Sequence, residues 1–305
     1  MCICTHNRPL YVRDCLEGLR RQTVGPDQFD VLVVDSASAA DLSAQLASVV
    51  SGFPNTRLLR VDQPGVGFAR NAGAWEADGA YIAYIDDDAV PAQDWIARII
   101  AAIAETDSPP ALIGGRILPQ WEKPLPSWWP SRLRGALSII EYEGSGEYRS
   151  AALPAGLEPY GANMVVHVLP LLAIGGFGPR SGRSGKALLS DEEVQLAWRL
   201  QAAGHSVRYD SRIVVRHQIQ AARLTPGWLM SRLYWQGVST VLTRRVLGRP
   251  GAVWRELPRR MVVAALLLPT ALLPRRSTFL VCWRWRLAYA AGFIRAALAP
   301  ARPSH

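Results

Sequence analysis

Three carboxylates in a row, Asp86-Asp87-Asp88, follow the apolar run Tyr81–Ile85 and precede Ala89-Val-Pro91. An uninterrupted apolar run of that length reads as a buried strand, so the acids sit crowded at its carboxyl end. Like charges that close repel each other unless a cation neutralises them. Carboxylate oxygens at alternate positions suit Mg²⁺ or Mn²⁺, which shares its remaining sites with phosphate oxygens and water. An isolated Asp-Asp-Asp is more commonly a solvated acidic turn; the strand before it and the motifs around it favour the cation. A second acidic cluster, Ser190-Asp191-Glu192-Glu193, opens a helical pattern that runs to Ala203. There Ser190 and Glu193 form S-x-x-E, a capping box, and acids in a first helical turn suit the helix dipole.

The elements that must position these acids alternate in the α/β manner. Met1–Thr5, Phe29–Val34, Thr56–Val61, Tyr81–Ile85 and Ala111–Ile117 read as buried strands. Helical patterns over Pro9–Gln22, Asp41–Val50, Gly67–Glu76 and Asp94–Ala104 separate them. Such alternation implies right-handed crossovers, a largely parallel sheet and a ligand site at the carboxyl ends of its strands. Thr5–Arg8, Asp35–Ser38 and Asp86–Asp88 then share one rim. Asp35 there either caps the following turn or meets a ligand, and the rim position favours the ligand. Residues Pro119–Pro159, rich in Pro, Gly and Trp, read as a long loop over the site. Order returns at Tyr160–Val166, in helices near Leu169–Ile174 and Asp191–Ala203, and in two strands near Ser206–Tyr209 and Ile213–His217.

Together these motifs resemble family 2 glycosyltransferases of the GT-A fold, over about residues 1–220. Cys2-Ile-Cys-Thr5-His-Asn7-Arg8-Pro9 resembles the family's first strand and Thr-x-Asn-Arg-Pro turn. Asp30-Val-Leu-Val-Val-Asp35-Ser36 resembles its second strand, which ends in the Asp that meets the base. Gly65-Val-Gly-Phe-Ala-Arg70-Asn71-Ala-Gly73 resembles its Gly-rich helix start, where Arg and Asn line the nucleotide. The glycines at 65, 67 and 73 do not make the dinucleotide fingerprint G-x-G-x-x-G. Asp86–Asp88 resembles the DxD motif, which implies Asp86 and Asp87 at the nucleotide and Asp88 on the metal. Gly161-Ala162-Asn163 resembles the segment beside sugar and acceptor, and Gly175-Gly-Phe177 the turn after it.

The resemblance also implies a catalytic base in Asp191–Glu193, with Glu193 at the family's usual Asp position. A Glu for that Asp, and Gln195 where a further acid is common, leave Asp191 and Glu192 as alternatives. A late His, here His217, often completes the metal shell in such enzymes. The implied architecture is a Rossmann-like GT-A sheet with flanking helices, residues 1–118 forming the nucleotide half and 119–224 the acceptor half. The implied reaction is metal-dependent, inverting transfer of a sugar from a nucleotide sugar, by default a UDP-sugar, to a glycan or lipid-linked acceptor.

Residues 225–305 have a different texture. They hold thirteen Arg and one acid, Glu256, for a net +12, which leaves −3 on residues 1–224. The apolar run Met261–Leu273 is too short to cross a ~30 Å hydrocarbon layer. It is broken by Pro269 and flanked by Arg259-Arg260 and Arg275-Arg276. Phe279–Ala299 is long enough, but Arg284, Arg286 and Arg295 interrupt it, the first two on nearly opposite faces (about 200° apart). Short apolar segments flanked by Arg and Trp suit an interfacial helix on an anionic membrane; the alternative is a helical subdomain packed on the catalytic body. Without a Lys/Arg-then-apolar leader or a CxxC pair, the protein is expected in a reducing cytoplasm, peripheral at the inner face of the membrane. The first strand starts so close to Met1 that the natural start is expected upstream.

Two other functions compete. A nucleotidyltransferase would want a Gly-rich phosphate loop directly after the first strand, which Thr5-His-Asn-Arg-Pro9 is not. A nucleic-acid-binding protein would use the basic tail, but its Leu- and Val-rich runs suit lipid better than phosphate tracking. Transfer to a polyprenyl phosphate is a third alternative, within the enzyme class.

Overall fold

The computed structural model describes residues 1–106, 108–178, 188–272 and 278–300. The expected Arg275-Arg276 flank and the side chain of Cys282 lie outside the described residues. In chain order the first unit contains β1 (Cys2–Thr5), α1 (Pro9–Arg20), β2 (Val31–Ser36), α2 (Ala40–Val50), β3 (Thr56–Val61), α3 (Val66–Trp75) and β4 (Tyr81–Asp86). Then come β5 (Ala89–Pro91), α4 (Trp95–Ala104), β6 (Leu112–Trp121), β7 (Ser145–Glu147), β8 (Met164–His167), α5 (Val168–Ala173), α6 (Glu192–Ala202) and β9 (Val207–Ile219). The second unit contains α7 (Pro226–Val246), α8 (Pro250–Leu267) and α9 (Thr278–Leu298), together with 121–137 and 188–191.

A nine-stranded sheet in the order β3-β2-β1-β4-β8-β6-β9-β5, with β7 beside β9, forms the first unit's centre. Strands β3, β2, β1 and β4 run parallel, with Cys4 level with Val34 on one side and Asp86 on the other. That register brings the ends of β1, β2 and β4 to one rim, as the alternating pattern implies. Beyond β4 the pairs β4–β8, β6–β8 and β5–β9 are antiparallel. The core is apolar on both faces of β1 and β2, with Val12, Leu16 and Leu19 of α1 and Ala69 and Ala74 of α3 packed against them. Cys2 and Cys15 are small buried core residues, and the three described cysteines are unpaired thiols.

Two expectations about the second half are corrected. One strand of thirteen residues, β9, replaces the two expected on either side of Asp210-Ser211. The polar pair stays in the strand because neighbours satisfy it: Ser211 N–H donates to Gly144 O at 3.1 Å, and Gly144 N–H donates to Ser211 Oγ at 3.0 Å. The same partner segment gives structure to the expected long loop, where β7 pairs with β9 and Ile117 bridges Ile140.

The spacing of α3 on β1 depends on Gly73, where an added Cβ would lie 2.5 Å from Cys2 Sγ. Gly73→Ala is expected to destabilise the fold by about 1–3 kcal/mol in urea unfolding, as overpacked cores do. Adding Cys2→Ala should recover part of that loss, and an unchanged midpoint for Gly73→Ala would show that the helix shifts freely.

Candidate active site

The centre of the rim is a buried cation. Arg70 leaves α3 with its side chain 3% exposed, and its guanidinium meets Glu193 at 3.0 Å, Asp86 at 3.3 Å and Glu192 at 3.4 Å. Burial alone would lower its pKa, but Glu193, Asp86 and Glu192 together more than offset this, and the net shift is upward. The Phe177 ring lies 5.5 Å from the guanidinium carbon, and Tyr84 Oη donates to Arg70 O at 2.9 Å. Thus one side chain ties the carboxyl end of β4 to the first turn of α6. Gly161 makes the approach possible, since its N–H donates to Glu193 Oε1 at 2.9 Å and a Cβ there would fall on the Arg70 guanidinium.

This arrangement removes the capping-box reading of Ser190 and Glu193. Glu193 turns its carboxylate to Arg70 and Gly161, while Ser190 N–H donates to Ser239 Oγ at 3.0 Å. The helix starts at Glu192, one residue after the expected Asp191. Asp191 has φ 76° and belongs to the second unit, where Gln236 Nε2 donates to its two carboxylate oxygens at 2.9 and 3.1 Å.

Asp87 and Asp88 form a separate, deeper pair. Thr5 Oγ1 donates to Asp87 Oδ2 at 2.7 Å, and Arg8 Nη1 donates to Asp87 at 3.2 Å and to Asp88 at 3.1 Å. Burial and the neighbouring Asp88 push Asp87 up to about 6, against the opposing pull of Arg8 and Thr5. His217 Nε2 lies 3.2 Å from Asp88 Oδ1, and both side chains are buried. β9 brings His217 there through the β5–β9 pairing, which sets Ala89 level with His217, and Gln218 N–H donates to Asp88 O at 2.7 Å. Two residues 129 positions apart thus meet because one strand continues past the polar pair at Asp210.

Several other motif residues hold the scaffold. Asp35 is fully buried; it accepts from Ser38 N–H at 3.0 Å, Ser43 Oγ at 2.6 Å and Arg60 Nη1 at 3.0 Å. Burial would raise its pKa, but the Ser38 and Ser43 bonds and Arg60 more than offset that and hold it low. Asn7, in the left-handed region at φ 58°, donates its N–H to Ser38 Oγ at 2.8 Å and accepts from Ala39 N–H at 2.8 Å, so the turns after β1 and β2 are joined. Asn71 clasps Phe177, donating to its carbonyl at 3.0 Å and accepting from its N–H at 2.8 Å. Asn163 donates to Arg116 O and Ile213 O and accepts from Trp95 Nε1 at 2.9 Å, so its whole amide is spent inside the protein. Ala162 beside it is buried.

Sequence reasoning missed Arg60, Trp95 and Phe177 as supports. Arg60 could have been found from its register opposite Asp35 on β3. Phe177 stands in the Gly175-Gly-Phe177 turn, but neither its clasp by Asn71 nor the bond from Trp95 to Asn163 had a local signal.

A parallel sheet with carboxylates at its rim, continued by antiparallel strands, is the GT-A class of nucleotide-sugar folds. Solved structures of that class cover nearly the whole chain. The mannosyltransferase from Pyrobaculum calidifontis in complex with GDP-Man and Mn²⁺ superposes with a TM-score of 0.62 at 16% identity, over 97% of this chain and 86% of its own. TarS 1-349 of S. aureus in complex with UDP gives 0.55 at 14% identity, over 96% and 89%. Residues 1–141 match Glycosyl transferase family 2, so this segment is similar to that family. The glucosyl-dolichyl phosphate glucuronosyltransferase of Haloferax volcanii is 28% identical over 176 residues, 57% of this chain and 54% of the relative. The pre-mycofactocin glycosyltransferase of Mycobacterium tuberculosis is 25% identical over 237 residues, 77% of this chain and 46% of the relative. The chain thus spans about half the length of these curated relatives.

Replacing Arg70 by Met leaves Asp86, Glu192 and Glu193 without their shared cation. It is expected to lower stability by about 3–5 kcal/mol in urea unfolding. Arg60→Met removes one half-exposed partner of the buried Asp35, whose bonds from Ser38 and Ser43 remain, and should cost less, about 1.5–3 kcal/mol. Equal losses for the two would show that the Arg70 cluster is not the special one.

Proposed function

We propose that this protein transfers a sugar from a nucleotide sugar, by default a UDP-sugar, to a glycan or lipid-linked acceptor with the help of a divalent cation. The observation that carries the reading is the double junction at the rim. Asp88 meets His217 in one place, and Asp86 meets Glu192 and Glu193 through Arg70 in the other. Donor chemistry and acceptor chemistry would then be adjacent along a single strand end. The solved structures of the same fold with GDP-Man and Mn²⁺ or with UDP support a nucleotide donor.

A divalent cation fits the donor set in its chemistry. Among the described residues no group of three His, Cys, Asp or Glu side chains is arranged to hold an ion. Mg²⁺ and Mn²⁺, however, commonly take only one or two carboxylates and complete their shell with substrate phosphates and water. Asp88 supplies oxygen and His217 an imidazole that Mn²⁺ accepts. The upward push on Asp87 comes first from burial and then from the neighbouring Asp88, and Arg8 and Thr5 offset it only in part. A cation held there would neutralise the charge that develops on a diphosphate leaving group.

The chain's own residues supply the rest. Arg8, half-exposed above Asp87 and Asp88, is placed to meet phosphate once those carboxylates have another partner. Asp86, the most exposed of the three acids, faces the ribose or base in this reading. Glu193 would take the proton of the attacking hydroxyl. Its Oε1 is held by Arg70 and Gly161, so its orientation is fixed by two partners before any acceptor arrives. Attack on the face opposite the leaving group inverts the anomeric centre. The Haloferax volcanii relative, whose name includes glucosyl-dolichyl phosphate, favours a lipid-linked phosphate acceptor as the narrower form of the reading.

Two variants test it. In a thermal-shift titration with Mn²⁺ and UDP-, GDP- and dTDP-sugars, Asp88→Ala should lose metal-dependent nucleotide binding and keep its fold. Glu193→Gln should reduce turnover by about 10²-fold or more while donor affinity is retained. Asp191→Asn, whose carboxylate is held by Gln236, should act more weakly. Metal-dependent donor binding by Asp88→Ala at the parent affinity would falsify the metal assignment. Near-normal turnover of Glu193→Gln would move the base to Glu192 or Asp191.

A further inference from the structure

The second unit has a helix, α8, that carries apolar residues on its outward face as well as its inward one. In water, a surface helix turns its charged residues outward and its apolar stripe inward. In α8 the inward face carries Glu256 and Arg260. Glu256 accepts from Arg244 of α7 at 2.5 Å and from Arg260 Nε at 2.7 Å, and the Arg260 guanidinium lies 4.5 Å from the Tyr289 ring centre on α9. Val253 and Leu257 are buried on the same side.

The outward face carries Trp254, Pro258, Met261, Val262, Ala265 and Leu266, at i, i+4, i+7, i+8, i+11 and i+12. That spacing is one continuous helical stripe. Trp254 is 55% exposed, Val262 58% and Leu266 73%. Arg255 and Arg259 are exposed along one edge of this stripe. On α9 Trp283 is also exposed, with the Arg286 guanidinium 5.0 Å from its ring. No helix among the described residues is long and apolar enough to cross a membrane.

An apolar stripe edged by guanidinium groups, in a segment with thirteen Arg and one acid, is complementary to a surface that is apolar beneath and anionic above. We propose that the outward face of α8 docks in the plane of an anionic lipid bilayer, with Trp254, Met261, Val262 and Leu266 entering the acyl boundary and Arg255 and Arg259 on the lipid phosphates. Attachment then needs both the apolar stripe and the negative headgroups, and salt weakens it without abolishing the apolar part. The inference rests on the second unit alone and is independent of which sugar, or whether any sugar, the first unit transfers.

The test is sedimentation of the full chain with phosphatidylcholine vesicles, with and without about a third phosphatidylglycerol, at low and high salt. The full chain should pellet with the anionic vesicles at low salt, and binding should weaken as salt rises. Val262→Glu/Leu266→Glu, at exposed positions that leave the core untouched, should lose at least about tenfold in vesicle affinity. Arg255→Gln/Arg259→Gln should lose affinity for anionic vesicles specifically. Circular dichroism of the variants checks that they fold.

Absence of pelleting with anionic vesicles at low salt would overturn the proposal. So would binding unchanged by the glutamate pair. A concentration-dependent dimer that Val262→Glu/Leu266→Glu dissociates, with no vesicle binding, would assign the face to a second copy of the chain instead.

Discussion

A buried guanidinium facing three carboxylates organises the first unit. Arg70 has little access to water, so its charge must be balanced inside the protein, and Asp86, Glu192 and Glu193 are what balances it. They come from two distant parts of the chain, the end of β4 and the start of α6, and the two buried glutamates would be costly without the cation. The middle of α3, the β4 end and the α6 start are therefore bound to one another by the same electrostatic requirement. Only a residue without a side chain can stand at position 161, because the guanidinium lies where a Cβ would be. A buried network of this kind adds less to net stability than to uniqueness. Removing one partner leaves uncompensated charge, so alternative packings of these three elements are strongly disfavoured.

The second carboxylate pair follows a different logic. Asp87 and Asp88 are buried with one half-exposed arginine and one imidazole. Where Arg70 is outnumbered by acids yet fixed among them, Arg8 reaches its acids from the rim and retains exposure. The sheet thus places a rigid, internally balanced cluster beside one whose positive partner is at the surface. In the proposed chemistry the rigid cluster orients the proton acceptor and the surface cluster receives the phosphates.

Much of this was legible in the sequence, for identifiable reasons. The parallel half of the sheet follows from apolar runs separated by helical periods, and its strands fall within a residue or two of their expected limits. Asp86–Asp88 stood out because three charges directly after an apolar strand need an explanation. Long-range pairing was not legible. Whether Asp210-Ser211 interrupts or continues a strand depends on Gly144, far away in the chain, so two strands were expected where there is one. The S-x-x-E pattern at Ser190 and Glu193 is a local signal that tertiary charge overrides, since a buried guanidinium outcompetes a backbone N–H for the carboxylate. Asn71 and Asn163 carry family-like positions, yet their amides are spent on Phe177, Trp95 and two carbonyls, which no local pattern reveals.

The close approach at Gly161 has a consequence for how this sequence can change over generations. Positions 70 and 161 lie 91 residues apart, yet they occupy one volume. An alanine arriving first at 161 meets the guanidinium, whereas a shorter residue arriving first at 70 strands three acids. Neither order gives a tolerated single step, so drift at either site is blocked unless a carboxylate is lost beforehand. The pair behaves as a historical ratchet: once arginine and glycine are established together, substitution must pass first through Glu192 or Glu193, and the acids become the gatekeepers of change at positions with which they share no sequence neighbourhood.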